Sequence, residues 1–249
     1  MPVHWFENDS FWDAVAPFLF SDARCKAAPG EVDCALALLD LQLGARVLDL
    51  CCGVGRHSLE FARRGFSVTG VDRTRPYLDR AQRDAREQGL TVEFACADMG
   101  EFRRPGAFDA AINMFTAFGY FETDDDELRV LSNILDSLKP NARVLIDVMG
   151  KEVIARNFQQ RSWQATADGS RFFLEERQVR GGWAYIDNRW VIFDEAGRRE
   201  FNFPIRVYSG RELEGLLSRA GFADVRLYGT LAGDPYDSAA QRLVAAARK

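Results

Sequence analysis

Histidine is nearly missing from these 249 residues: only His4 and His57 occur. Zinc sites draw mainly on histidine and cysteine, so a metal centre has little to be built from and none is expected. The five cysteines, Cys25, Cys34, Cys51, Cys52 and Cys96, are odd in number and show no Cys-x-x-Cys spacing. Reduced thiols in a cytoplasmic protein account for that pattern better than a disulfide framework does. Lysine occurs four times, and the arginines are scattered rather than gathered in a run. With a formal charge of -5, nothing electrostatic draws a polyanion to the chain, and no nucleic-acid partner is expected. No apolar stretch approaches the roughly 20 residues of a membrane span, so no membrane partner is expected either. The opening Met-Pro-Val-His-Trp-Phe-Glu lacks the basic start and apolar run of a secretory signal.

What is present is alternation. Residues 47–50 read as a short buried strand, 57–64 as a helix and 66–71 as a second strand. The helix predicted over 76–88 has proline at its start and glycine, Gly89, at its stop. Strands follow at 92–95, 108–114 and 143–148. The last two are separated by a helix over 124–138 with acids in its first turn, closed by Lys139-Pro140-Asn141. Strands alternating with helices imply a mostly parallel sheet covered on both faces, an α/β Rossmann-like fold. After Gly150 the pattern changes: 171–179, 183–193 and 199–208 are strand-like. They are joined by Gly181-Gly182 and by Asp194-Glu195-Ala196-Gly197, both good hairpin turns. Phe201, Phe203, Ile205 and Val207 share one face of the last strand, and Pro204 puts that strand at an edge or bulge. A helix over 210–220 and strands over 223–228 and 242–247 complete the alternation. The chain divides into an aromatic-rich helical lid (1–42), an α/β core (43–150 with 209–249) and an inserted antiparallel sheet (151–208). All five tryptophans, Trp5, Trp12, Trp163, Trp183 and Trp190, fall in the lid or the insertion. Packing the two segments onto the core is the plain use for that bulk; closing over a substrate pocket or forming a homodimer interface is the sharper one, and for the two segments together a lid is expected.

The strand at 47–50 runs into Cys51-Cys52-Gly53-Val54-Gly55-Arg56-His57, and an acid, Asp72, ends the next strand. A glycine turn between strand and helix lets backbone approach a ligand closely, and an acid at that place can accept from two ribose hydroxyls. The site suits an adenosine-bearing cofactor. The dinucleotide fingerprint would put glycine at Cys51, Gly53 and Arg56, and only the middle position keeps it. Asp49, two residues before the turn and expected to face the ligand, suits an ammonium group and would repel a pyrophosphate. Here the sequence resembles the class I S-adenosylmethionine (SAM)-dependent methyltransferases, whose first motif is acid-x-Gly-x-Gly-x-Gly, with Cys51 standing at the first glycine. The resemblance runs over about residues 44–150 and again over 210–228.

The resemblance implies a seven-stranded sheet with SAM as cofactor. It puts Asp49, Cys51, Gly53 and Gly55 in the glycine loop, with Asp72 and Arg73 at the ribose. It places Asp98 and Met99 at the adenine, and Asn113 beside the sulfur. The antiparallel insertion looks like that of small-molecule methyltransferases, and the Asx-Pro-Pro-aromatic run of base-methylating enzymes is replaced by Asn113-Met114-Phe115-Thr116. A small-molecule acceptor among Phe115, Tyr120, Arg206 and Tyr208 is therefore expected. Tyr120 and His57 are the candidates for proton chemistry, although a core aromatic and a helix-start side chain are the plainer readings of the two. Arg24 could neutralise the SAM carboxylate. A methyltransferase of RNA or protein, or a SAM-binding module without turnover, would carry the same cofactor motifs. No tyrosine has lysine four residues on, so a short-chain dehydrogenase is poorly supported.

Overall fold

The computed structural model describes residues 4–249. Met1, Pro2 and Val3, the first residues of the expected lid, lie outside the described residues. Seven strands form the main sheet: β1 (Arg46–Leu50), β2 (Ser67–Asp72), β3 (Glu93–Cys96), β4 (Phe108–Asn113), β5 (Leu138–Val148), β10 (Ala223–Tyr228) and β11 (Leu243–Arg248). Their order is β10-β11-β5-β4-β1-β2-β3, parallel except for β11, which runs antiparallel to both β5 and β10. Alternation within each strand feeds two cores. Leu48, Ala111 and Val144 face helices α5 (Asp124–Ser137) and α7 (Gly210–Arg219). Val47, Ala110 and Leu145 face α2 (Asp22–Leu39) and α3 (Arg56–Arg63). Both faces are covered, so the central strands are buried and mainly apolar, with Asp49, Asn113 and Asp147 as buried polar exceptions. Helix α4 (Arg75–Glu87) stands between β2 and β3.

Strands β6 (Arg161–Ala165), β7 (Phe172–Arg180), β8 (Tyr185–Asp194) and β9 (Gly197–Arg206) make an antiparallel meander after a short helix α6 (Lys151–Arg156). Pro204 lies in β9, an edge strand, where its missing N–H removes no ladder bond on the open side. One face of this sheet receives Trp5 from a 3-10 turn (Trp5–Glu7) and Phe11 from α1 (Asp9–Leu19). Trp5 stacks on Phe203 with ring centres 4.6 Å apart, and Phe11 stacks on Trp190 at 5.7 Å. The segment 1–42 thus divides: its first helix lies on the inserted sheet, while Val32, Ala35 and Leu39 of α2 cover the main one.

Four local features differ from the sequence reading. β6 and α6 were not expected. β6 is polar and mostly exposed, so it carries no apolar alternation. β5 begins at Leu138 and absorbs Lys139-Pro140-Asn141, with a register slip between the Phe108 and Ala110 pairings and Asn141 at φ 65°. Trp183, at φ 72°, belongs to the turn before β8 rather than to the strand. β9 ends at Arg206, leaving Tyr208 to turn into the main core. Among the described residues no helix is long and apolar enough to cross a membrane.

Candidate active site

A cleft enclosing about 140 Å³ opens at the carboxyl ends of β1, β2, β3 and β4. Strand order reverses between β1 and β4, the place where open α/β sheets leave a crevice for ligands.

The glycine loop forms its floor. Cys51, Gly53 and Gly55 all take positive φ, at 63°, 57° and 74°. Gly53 has a second reason to be glycine: a Cβ there would lie 2.7 Å from the ring of Phe20, which comes down from the N-terminal segment. Gly55 does not line the cleft. A Cβ on it would meet Ala81 at 2.9 Å, so it serves the packing of α3 against α4. Cys51 holds a glycine-like conformation with a side chain, which costs about 1–3 kcal/mol of local strain. Its Sγ contacts Met99 Sδ at 3.4 Å, and burial followed by the fields of Asp72 and Asp98 keeps the thiol neutral.

Asp72 ends β2 with its carboxylate in the cleft wall. Oδ2 accepts from Gly53 N at 2.8 Å and Oδ1 from Thr74 N at 2.8 Å, which fixes the group and leaves each oxygen a further lone pair. Burial raises its pKa against those two N–H bonds. Such a fixed pair of acceptors fits the two hydroxyls of a ribose. Asp98 and Met99 line the cleft after β3, and Gly100 N orients Asp98 Oδ1 at 2.7 Å. Arg73 lines it too, with Nη1 donating to Phe6 O at 2.6 Å and so holding the roof down.

Several expected site residues stand back from the cleft. Asp49 does not line it: the carboxylate is buried and accepts from Ser58 Oγ at 2.5 Å, beneath the loop rather than facing a ligand. Burial raises its pKa, opposed by His57 and Ser58. Asn113 is fully buried, with Nδ2 donating to Leu50 O at 3.2 Å and Oδ1 without a partner among the described residues. It joins the ends of β4 and β1. Arg206 pairs with Asp124, and Tyr208 packs in the main core, so neither lines the cleft.

Phe115, Tyr120 and His57 do line it. Phe115 and Thr116 take φ 60° and 63°, an unusual pair of left-handed residues. They are held by Asp147, whose Oδ2 accepts from Phe115 N at 2.9 Å, and Asp147 is itself gripped by Arg242 Nε and Nη2 at 2.7 and 2.9 Å. Tyr120 packs against Trp5 at 4.9 Å between ring centres. Burial, then the fields of Cys51 and Asp72, push its phenol far above the ordinary range, so the hydroxyl stays protonated. His57 is buried rather than turned outward. Its Nε2 lies 2.8 Å from Glu31 Oε2 and its ring stacks on Phe115. Burial raises the pKa of Glu31, but hydrogen bonds and charge from His57 and Arg56 outweigh it and leave the carboxyl below its usual value.

Glu31, Arg56, Tyr77 and the Arg242–Asp147 pair were not singled out from sequence. Glu31 and Arg56 come together from positions 25 apart and Arg242 and Asp147 from positions 95 apart, and no local pattern marks either pair. Among the described residues no group of His, Cys, Asp and Glu could hold a metal ion.

Residues 47–141 match the family model described as a methyltransferase domain. A putative methyltransferase of Bacillus subtilis (strain 168), YqeM, is 28% identical over 189 residues, covering 71% of this chain and 73% of that protein. The 23S rRNA (uracil(1939)-C(5))-methyltransferase RlmD of Shewanella amazonensis is 36% identical over 98 residues, covering 39% of this chain and 22% of that protein. Among solved structures, a SAM-dependent methyltransferase from Clostridium acetobutylicum superposes with a TM-score of 0.77 at 17% identity, covering 96% of this chain and 98% of that one. SAM-bound CalS10, an amino pentose methyltransferase from Micromonospora echinaspora, gives 0.63 at 22% identity, with 90% of each chain covered.

Proposed function

We propose that the chain is a class I SAM-dependent methyltransferase whose acceptor is a small organic molecule, methylated mainly through positioning. The observation carrying this reading is the roof. Phe6, Trp12, Leu19 and Phe20 of the N-terminal segment line the cleft together with the glycine loop and enclose it, where a polymer acceptor would call for an open groove.

SAM supplies a methyl carbon on a sulfonium whose positive charge disappears in an in-line displacement. The chain's own groups hold and enclose. Asp72 takes the ribose, with Asp98 and Met99 beside it. Met114, Phe115 and Tyr120 wall the acceptor side with apolar and aromatic surface. The roof excludes water, which strengthens every polar contact inside. Tyr120 orients an acceptor by donating its hydroxyl hydrogen, and an acceptor that must lose a proton has only His57, bonded to Glu31, as an imidazole nearby. The relationship to an RNA methyltransferase supports a second reading, in which RNA is the acceptor. Incubation with SAM and separate pools of small amines, hydroxylated sugars, carboxylic acids, RNA and peptides decides between them. Formation of S-adenosylhomocysteine only with a small-molecule pool is expected. Turnover only with RNA or peptide would overturn the proposal, and tight SAM binding without turnover on any pool would favour a binding module.

A further inference from the structure

Four of the five tryptophans pack against other rings: Trp5 and Trp12 on each other, Trp190 on Phe11 and Trp183 on Phe158. Trp163 stands out in water, 71% exposed. It lies on the face of the inserted sheet turned away from α1. The register sets Leu174 opposite Trp163, and Phe193 opposite Phe172, on that same face. Their neighbours Phe173 and Ile192 point the other way and are buried with Phe11. Phe172, Leu174 and Phe193 are 43%, 41% and 40% exposed, and with Trp163 they line one trough across β6, β7 and β8. Leu43 is the one other large apolar side chain so exposed among the described residues, so the cluster is not the general character of the surface.

Two residues along each strand, the same face turns charged. Arg161, Glu176 and Arg189 stand in register across β6, β7 and β8, and Glu200 and Arg198 border the patch on β9. Each of the five is paired within the row, so the border alternates in sign.

We propose that this face is a homodimer interface, in which each copy covers the other's apolar patch across a two-fold axis. None of these residues lines the cleft, so the contact stands apart from what the cleft binds. Area and charge both select a second copy. The four side chains leave on the order of 400 Å² of apolar surface in water. A standard interface buries about 800 Å² on each partner, rather more than half of it non-polar. The patch therefore supplies nearly the whole apolar part of one side. A two-fold contact sets a surface against itself, and a row of internally neutralised, alternating charge meets its own copy without a block of like sign. An anionic lipid surface or a nucleic acid would call for free cations around the patch, and every arginine in the row is already paired.

Sedimentation velocity of the full chain over a range of concentrations tests the contact. The wild type is expected at twice the mass of the chain. Trp163→Asp and Phe193→Asp each put a charge into the covered patch and should weaken association by at least about thirtyfold, the effect of losing an interface hot spot. Trp163→Phe keeps an apolar ring there and should retain most of the association. Both aspartate variants should match the wild type in circular dichroism, because the two side chains are exposed in the single chain. A wild type that stays a single chain at every concentration overturns the interface. Flotation of that single chain with phosphatidylcholine–phosphatidylglycerol vesicles, lost in Trp163→Asp, would assign the face to a membrane in its place. A dimer that both aspartate variants leave intact puts the contact on another surface and overturns the proposal as well.

Discussion

The two walls of the cleft are built on opposite plans. The proposed cofactor wall comes from strand ends that follow one another along the chain, and its acids are fixed by backbone N–H groups a few residues away or one loop across: Asp72 by Thr74 and Gly53, Asp98 by Gly100. The proposed acceptor wall, residues 114–121, carries two left-handed residues, and side chains from distant elements hold it from behind. Asp147 and Arg242 grip Phe115 and Thr116, and Glu127 of α5 receives Phe121 N at 3.0 Å. A wall that is locally fixed depends little on the rest of the fold. A wall assembled at long range fails when a buried partner is lost, and substitutions behind it should therefore cost stability where those on the cofactor side cost binding.

The largest effect is expected at Arg242. Asp147 is fully buried, and Arg242→Ala leaves its charge unpaired, which costs about 3–5 kcal/mol in chemical denaturation. Replacing both partners with apolar residues, Arg242→Met with Asp147→Leu, should recover much of that loss, because the penalty lies in the orphaned charge. A loss well below 1 kcal/mol in the single variant would mean that the acceptor wall stands without this pair.

Glu127 comes next. Burial pushes its carboxyl up to about 8, against the Phe121 and Gly119 N–H groups and the charge of Arg206. The unfolded value is about 4.3, so in the window between the two the folded chain binds the extra proton. Stability is therefore fully present below the unfolded value and is lost as pH rises through about 8. Stability should fall across that window by up to about 5 kcal/mol, about 1.4 kcal/mol for each pH unit. Glu127→Gln keeps an acceptor for Phe121 N and removes the titration, so its profile should be flatter. Equal slopes for the two proteins would show that the carboxyl titrates normally.

On the cofactor side, Asp72→Ala should weaken S-adenosylhomocysteine binding by about 1.5–3 kcal/mol, a charge-assisted hydrogen bond's worth. The denaturation midpoint should move less than in Arg242→Ala. A variant with normal binding and lowered stability would invert the contrast between the walls.

The same contrast explains what the sequence made legible. Gly53, Asp72, Asp98 and Met99 were readable because each sits at a fixed distance from a strand end, and all four line the cleft. Asp49 and Asn113 belong to the same stretches, but their side chains turn to Ser58 and to Leu50 O, a matter of rotamer and packing that spacing does not encode. Arg206 and Tyr208 were placed at the site by strand alternation alone. The alternation ends where β9 ends, and Asp124 and the core take the two side chains. Glu31 and Asp147 carried no signal, because an isolated acid in a helix or at a strand end looks the same whether or not an arginine from far along the chain will meet it.

The smallest expected effect concerns the roof. Trp183 and Trp190 lie in the insertion, one of the two segments that the sequence offers as a cover for the pocket. Trp190 is enclosed by Phe11, Phe173 and Phe203, Trp183 packs on Phe158, and neither lines the cleft. Trp12 does line it. Its indole Nε1 donates to Phe6 O at 2.7 Å, and its own carbonyl accepts from Tyr77 at 2.5 Å. Ligand-dependent fluorescence should therefore belong to Trp12: Trp12→Phe should abolish the change on adding S-adenosylhomocysteine, and Trp190→Phe should leave it. If the roof opens to admit ligand, limited proteolysis within residues 5–30 should also slow at saturating S-adenosylhomocysteine, because closure adds contacts that the open form lacks. Unchanged cleavage with a fluorescence change intact would make the roof a permanent wall that ligand passes without moving. The distinction between the two sides of the cleft would then be one of assembly only, and not of motion.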